Sequence, residues 1–189
     1  MDNNYVIIDN FLSVENFTKI RDILSGRVSS DLIWGKTYDI TGGDPEISKE
    51  KYMHVHVFFN DVPFQISNNF FLMDPIISQL NIFQLHRIKS NRYPRTKNII
   101  QHDWHIDRPD EHFSAIYYIN TNNGKTIIKD IVEIESIENR LVIFKGNLPH
   151  ASTTADDDQR LNINFMFKFR GDYNLESFSY ERKIKSAYN

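Results

Sequence analysis

The chain contains no cysteine. Disulfides are therefore excluded, and so is any thiolate metal site, leaving nitrogen and oxygen as the only strong ligands a metal could find here. No stretch approaches the ~18 consecutive apolar residues of a membrane span. The first residues, Met1-Asp2-Asn3-Asn4, lack the basic start of a secretory signal, and the expected location is cytoplasmic. Nor is there a basic excess. Twenty-two Lys and Arg stand against 25 Asp and Glu, a net charge of −3, which disfavours a sequence-independent nucleic-acid binder. The one basic strip is Arg87, Lys89, Arg92, Arg95 and Lys97. Low-complexity segments and internal repeats are also lacking.

What is present is aromatic. Fourteen Phe, 9 Tyr and 2 Trp in 189 residues, with a mean hydropathy of −0.48, suit a soluble β-rich domain with a substantial core. We expect one domain over 1–189: a strand-and-helix support over 1–80, a β core over 81–170, and a C-terminal tail over 171–189 that packs loosely or forms a small helix. Tyr5–Ile8 reads as a strand. Ser13 caps a helix over about 14–25, with Phe17, Ile20, Ile23 and Leu24 at helical spacing and Gly26 near its end. Gly42-Gly43-Asp44-Pro45 marks a loop, and 35–50 reads as a mobile flap. Tyr52–Phe59 is a strand, and Asp74-Pro75 opens a short helix over 75–80. Strands are then expected at 82–92, 98–105, 113–120, 125–129, 131–135, 141–145, 150–153 and 160–169, with a turn at Asn122-Asn123-Gly124. About eight short strands suggest a double-sheet jelly roll.

The chemistry centres on His105-Ile106-Asp107. On an extended backbone residues i and i+2 project to the same side, so an imidazole and a carboxylate aim at one point. His150 follows a strand and the Gly146 turn, and Arg160 lies ten residues further on. Two His and one carboxylate on one face of a metal, with the opposite positions open, is the site of non-haem Fe(II) oxygenases. With His105 facing inward, alternation places Gln101 and Asp103 on its side and Ile100, His102 and Trp104 on the other, so His102 is expected to pack or meet solvent rather than to ligate. In the strand from Arg160, alternation puts Arg160, Asn162 and Asn164 on one face and Leu161, Ile163 and Phe165 on the other. A polar row of that kind needs a ligand if it faces inward. Otherwise it is an exposed surface. His54-Val55-His56 is a competing same-face pair, and with a third His it would make a cupin-like site.

The order His105-x-Asp107, then His150 in Leu148-Pro149-His150, then Arg160, resembles the Fe(II)/2-oxoglutarate-dependent oxygenase superfamily, in particular its prolyl-hydroxylase-like branch, including small versions from phages and marine bacteria. The resemblance spans roughly Ile82–Phe169. It implies a double-stranded β-helix in a mainly β chain with flanking helices. It implies Fe(II) held by His105, Asp107 and His150, with 2-oxoglutarate and O2 as cosubstrates. Arg160 would grip the distal carboxylate, aided by the Tyr118 hydroxyl in Ile116-Tyr117-Tyr118-Ile119-Asn120. Tyr93 would line the cosubstrate pocket, with Lys89 and Asn91 on the same strand face and Asn162 and Asn164 opposite. The retained carboxylate at Asp107 points to hydroxylation, since halogenases of the family carry a small residue there. Arg160-x-Asn162 also resembles the alkylation-repair enzymes, but Met166 and Phe167 stand where their second arginine would be. The expected substrate is a peptide side chain or a small molecule. Loops 35–50 and 106–113, with Trp34, Tyr38, Trp104, Arg108 and His112, are expected at the barrel mouth. A catalytically silent jelly-roll binding module is the alternative from another class.

Overall fold

A computed structural model of the chain describes residues 4–38 and 52–187, with side chains through 182. The centre of the fold is β11 (Arg160–Phe169). It pairs antiparallel with β5 (Ile82–Tyr93) on one side and β6 (Phe113–Tyr118) on the other. From there the major sheet extends through β9 (Leu141–Lys145) to β1 (Tyr5–Ile8), and through β3 (Tyr52–Asn60) to β2 (Gly35–Tyr38), with β4 (Gln65–Ile66) also on β3. The second sheet runs β10 (His150–Ser152), β7 (Asn122–Ile128), β8 (Val132–Ser136). This is a double-stranded β-helix, a jelly roll.

The period of two in the sequence decides what each sheet face buries. Leu161, Ile163, Phe165 and Phe167 of β11, Ala115 and Tyr117 of β6, and Leu141 and Ile143 of β9 form the outer core. Against them pack Phe17, Ile20 and Leu24 of α1 (Val14–Leu24), Ile76 of α2 (Asp74–Ile77), and Leu175 and Phe178 of α3 (Leu175–Ala187). Burying each such side chain contributes about 1.5–3 kcal/mol. The intervening residues, Ile116, Tyr118, Val142 and Phe144, turn inward and meet Ile128 and Ile134 of the second sheet. Ser13 caps α1 by accepting from the Asn16 amide, and Gly26 beyond its end has φ +78°. A 3-10 turn (Phe70–Met73) precedes α2, which is shorter than the 75–80 expected. The C-terminal stretch forms α3. Its Arg182 guanidinium lies 4.4 Å from the Phe11 ring centroid.

Three local expectations are corrected. Residues 98–105 form no continuous strand. They make isolated bridges from Gln101 to Thr153 and from His105 to His150. Four residue steps on one side therefore face three on the other, a bulge that interrupts the side-chain alternation. Asn122-Asn123-Gly124 is not a turn but the start of β7, with a register shift before Lys125. The chain passes from β6 into β7 over 119–121, and Asp130, at φ 58°, lies in the separate turn between β7 and β8. Gly35–Tyr38, expected within a flap, is a strand on the sheet edge; the rest of that flap, including Gly42-Gly43-Asp44-Pro45, lies outside the described residues.

Candidate metal centre and cosubstrate pocket

Two separate segments deliver His105 and Asp107, and His150, to one place. His105 and His150 face each other across an antiparallel bridge, each backbone N–H donating to the other's carbonyl at 3.0 and 2.9 Å. Their rings lie 4.4 Å apart. Each imidazole donates its Nδ1–H to the carbonyl two residues earlier: His105 to Asp103 at 3.2 Å, His150 to Leu148 at 3.0 Å. That leaves Nε2 with its lone pair free to ligate, and it fixes both rings. Asp107 Oδ2 stands 3.6 Å from His150 Nε2. One donor atom from each of the three lies within 4.8 Å of the others, the one such group of His, Cys, Asp and Glu among the described residues. A facial N,N,O set of this kind suits Fe(II).

The carboxylate is held from both sides. Arg87 Nη2 donates to Asp107 Oδ1 at 2.7 Å, and Ser114 Oγ donates to Oδ2 at 3.2 Å. Burial pushes the Asp107 carboxyl up. The adjacent His150 and the charge of Arg87 outweigh it and hold the group well below the usual carboxylate range. Burial, then the neighbouring His150, pushes His105 down, which keeps its imidazole neutral. Ionised acid and neutral imidazole are the forms that bind a metal.

A narrow cleft runs from these residues between the sheets. Its walls include Lys89, Asn91 and Tyr93 of β5, Ile116 of β6, Thr126 of β7 and the polar row Arg160, Asn162 and Asn164 of β11. That row therefore faces inward. Arg160 has no exposed surface at all. Its Nε donates to Ser136 Oγ at 2.9 Å and its Nη2 to Thr126 Oγ1 at 2.8 Å. Nη1 is buried with no acceptor. A buried guanidinium with a spare N–H in a cleft is a site built for an anion, and its fork matches a carboxylate. Gly124 makes room for it: a Cβ there would lie 2.7 Å from Arg160 Cδ and 2.9 Å from the Thr154 carbonyl. The glycine is needed for close approach rather than for its backbone angles.

The other residues singled out from the sequence fall into place or out of it. Tyr93 is buried beside Arg160, its ring centroid 5.3 Å from the guanidinium carbon. Tyr118 directs its hydroxyl to Thr126 Oγ1 at 2.8 Å, so it meets Arg160 through the shared threonine. Asn91 Nδ2 donates to Asn162 Oδ1 at 3.0 Å. His102 is packed and outside the ligand group, as expected, but on the Tyr93 side rather than the opposite face, its ring 5.4 Å from that of Tyr93, because the bulge before His105 shifts the alternation. Trp34 and Tyr38 are not at the mouth. Trp34 packs on Arg92 at 4.3 Å, and Tyr38 pairs with Tyr52, two positions from His54 opposite Arg92. Arg92 is one residue out of phase with Asn91, so this is the far face of the sheet. His54 and His56 share that face. Both His56 nitrogens are occupied, by the Ile33 carbonyl and Ser67 Oγ, which removes the cupin-like arrangement. His112 is buried, its Nδ1–H donated to the Asp110 carbonyl. Arg108 bonds Asp61 and Asp110, and Trp104 alone of these candidates is exposed beside the site. Sequence reasoning missed Arg87, Ser114, Thr126 and Ser136. Three of them lie 20 or more residues from their partners and Ser114 lies across a loop from Asp107, so no local spacing links them.

Searches against protein-family models and curated proteins return no match. Solved structures do match. An oxidoreductase of the 2OG-Fe(II) oxygenase family from Burkholderia pseudomallei is 14% identical, with 91% of this chain and 88% of that one covered and a TM-score of 0.59. The non-heme α-ketoglutarate-dependent epimerase SnoN from nogalamycin biosynthesis is 10% identical, with coverage of 88% and 79% and a TM-score of 0.58. The Trichoplax adhaerens prolyl hydroxylase, solved with a hypoxia inducible factor peptide fragment, is 19% identical, with coverage of 88% and 84% and a TM-score of 0.50. The fold is that of the 2OG-Fe(II) oxygenases. Within that fold, the second sheet supplies His150 and Thr126, and the major sheet supplies Arg160 and the Lys89–Tyr93 wall.

Proposed function

We propose that the protein is an Fe(II)- and 2-oxoglutarate-dependent dioxygenase that hydroxylates a peptide side chain or a small molecule. The observation that carries this is the convergence in one cleft of the His105, Asp107 and His150 ligand atoms with a fully buried Arg160 whose Nη1 has no acceptor. The donor set fits ferrous iron, and the orphaned guanidinium nitrogen fits the distal carboxylate of 2-oxoglutarate.

His105 and His150 would hold the metal through Nε2, and Asp107 through Oδ2. With Oδ1 occupied by Arg87, Asp107 would offer the metal one oxygen only. Arg160, kept in place by Ser136 and Thr126, orients the dicarboxylate, and Tyr118 stiffens Thr126 from below. Tyr93, Asn91 and Asn162 line the path between the two ends, and the apolar wall of Ile116 and Phe144 helps exclude water. When bound, iron and 2-oxoglutarate together activate O2, the cosubstrate leaving as succinate and CO2 while a substrate C–H bond is hydroxylated. Soluble metal and cosubstrate binding test the reading directly. Mn(II) followed by 2-oxoglutarate should raise the melting temperature stepwise. Asp107→Ala should abolish the first step and Arg160→Met the second. Equal shifts in wild type and both variants would refute it.

A further inference from the structure

Three cations stand in or beside the cleft, Arg87, Lys89 and Arg160, against the single carboxylate of Asp107. A divalent metal and a doubly charged cosubstrate cancel each other, so a surplus of two positive charges remains. Arg160 lies at the inner end, where the distal carboxylate would go. The other two cations are at the metal end. On β5, Lys89 is one alternation from Arg87 and faces Asn164 of β11.

Lys89 has no carboxylate of its own. Both Asp107 oxygens already accept a hydrogen bond, Oδ1 from Arg87 and Oδ2 from Ser114. Arg87 is also incompletely paired, its Nε buried and without an acceptor. Burial, then the charge of Arg87, pushes the Lys89 ammonium down to about 8. A half-buried cation beside another cation, with Asp107 near but no carboxylate paired to it, is costly to keep. A ligand anion removes that cost.

We infer that Lys89 and Arg87 form a second anion-binding position beside the open face of the metal site, and that the primary substrate carries a carboxylate, sulfate or phosphate group docked there. This rests on the oxygenase reading for the word substrate, but the anion position itself rests on the charge inventory. The two carboxylates of 2-oxoglutarate do not exhaust the cations, and a neutral substrate would leave Lys89 uncompensated. Asn164, which accepts from Arg87 Nη2 at 3.4 Å, completes a polar rim suited to such a group.

The probe is sulfate, added at constant ionic strength to protein loaded with Mn(II) and 2-oxoglutarate, with dimethyl sulfone as a neutral mimic of the same shape. Wild type should show a saturable rise in melting temperature with sulfate and none with the sulfone. Lys89→Met should weaken the sulfate response at least tenfold. General stabilisation by sulfate through surface exclusion does not saturate and is the same in both proteins. A wild type with no saturable response, or one that Lys89→Met leaves unchanged, overturns the inference; in the first case Lys89 serves the cosubstrate's own carboxylate. Should 2-oxoglutarate itself fail to shift wild type, the oxygenase reading falls separately. A sulfate response that then still depends on Lys89 keeps the anion position. A neutral or cationic molecule found to be turned over would also overturn the substrate class.

Discussion

Replacing Arg160 by Met keeps the side chain's reach while removing its charge and its donors. In the ligand-free protein two effects oppose. Two hydrogen bonds from a charged group, to Ser136 and Thr126, are lost, each contributing about 1.5–3 kcal/mol. Against that, a fully buried cation whose desolvation costs several kcal/mol disappears. The terms largely cancel, so ligand-free stability should change by no more than about 2 kcal/mol in either direction. Binding has no such compensation. Truncating one partner of a buried, hydrogen-bonded charge pair costs about 2–5 kcal/mol, which weakens 2-oxoglutarate roughly 30-fold to several thousand-fold. At a hundred times its dissociation constant the cosubstrate adds about 2.7 kcal/mol to wild type, or roughly 5–11 °C for a domain of this size. The assay is thermal melting with Mn(II) present and 2-oxoglutarate titrated over three decades. A variant that retains more than half of the wild-type shift would refute Arg160 as the anchor. One that fails to fold would refute the cancellation.

Gly124→Ala tests the same anchor without touching its charge. The added Cβ meets Arg160 Cδ and the Thr154 carbonyl, so 2-oxoglutarate affinity should fall about tenfold or more while Mn(II) affinity holds, read by sequential titration. Arg87→Met should weaken Mn(II) about 10–100-fold, the usual effect of losing a partner that orients a ligating carboxylate; isothermal titration measures it. The pH dependence follows from Lys89. Its folded value, about 8, lies below the unfolded 10.5, so between them the unfolded chain holds more protons. Ligand-free wild type should therefore gain stability on Lys89→Met as pH rises through that window, seen as converging or crossing urea midpoints. A constant difference would contradict the shift.

Much of the site could be read from residue order, because its logic is local. His105 and Asp107 are two apart, His150 ends a strand-and-turn, and alternation alone put Arg160, Asn162 and Asn164 on one face. The errors arose where the period of two is interrupted or where its phase was not tracked across a sheet. One extra residue before His105 turned His102 inward. Asn122-Asn123-Gly124 carries turn chemistry but serves a strand, since the glycine answers to the bulk of Arg160 from another element. Trp34 and Tyr38 look like mouth residues until strand register shows them out of phase with Asn91. Arg87 and Ser114 escaped notice because nothing in local spacing predicts which polar side chain will meet a carboxylate 20 residues away or across a loop.

His112 lies flat on Gly146, so close that a Cβ there would come 2.2 Å from the ring, and the Gly146 amide donates to the His112 carbonyl at 2.8 Å. His112 closes the loop that carries Asp107, and Gly146 opens the one that carries His150. The two are clasped like the halves of a buckle. A displacement of either loop drags the other with it, so the ligand triangle is apt to open or close as a unit rather than lose one corner at a time.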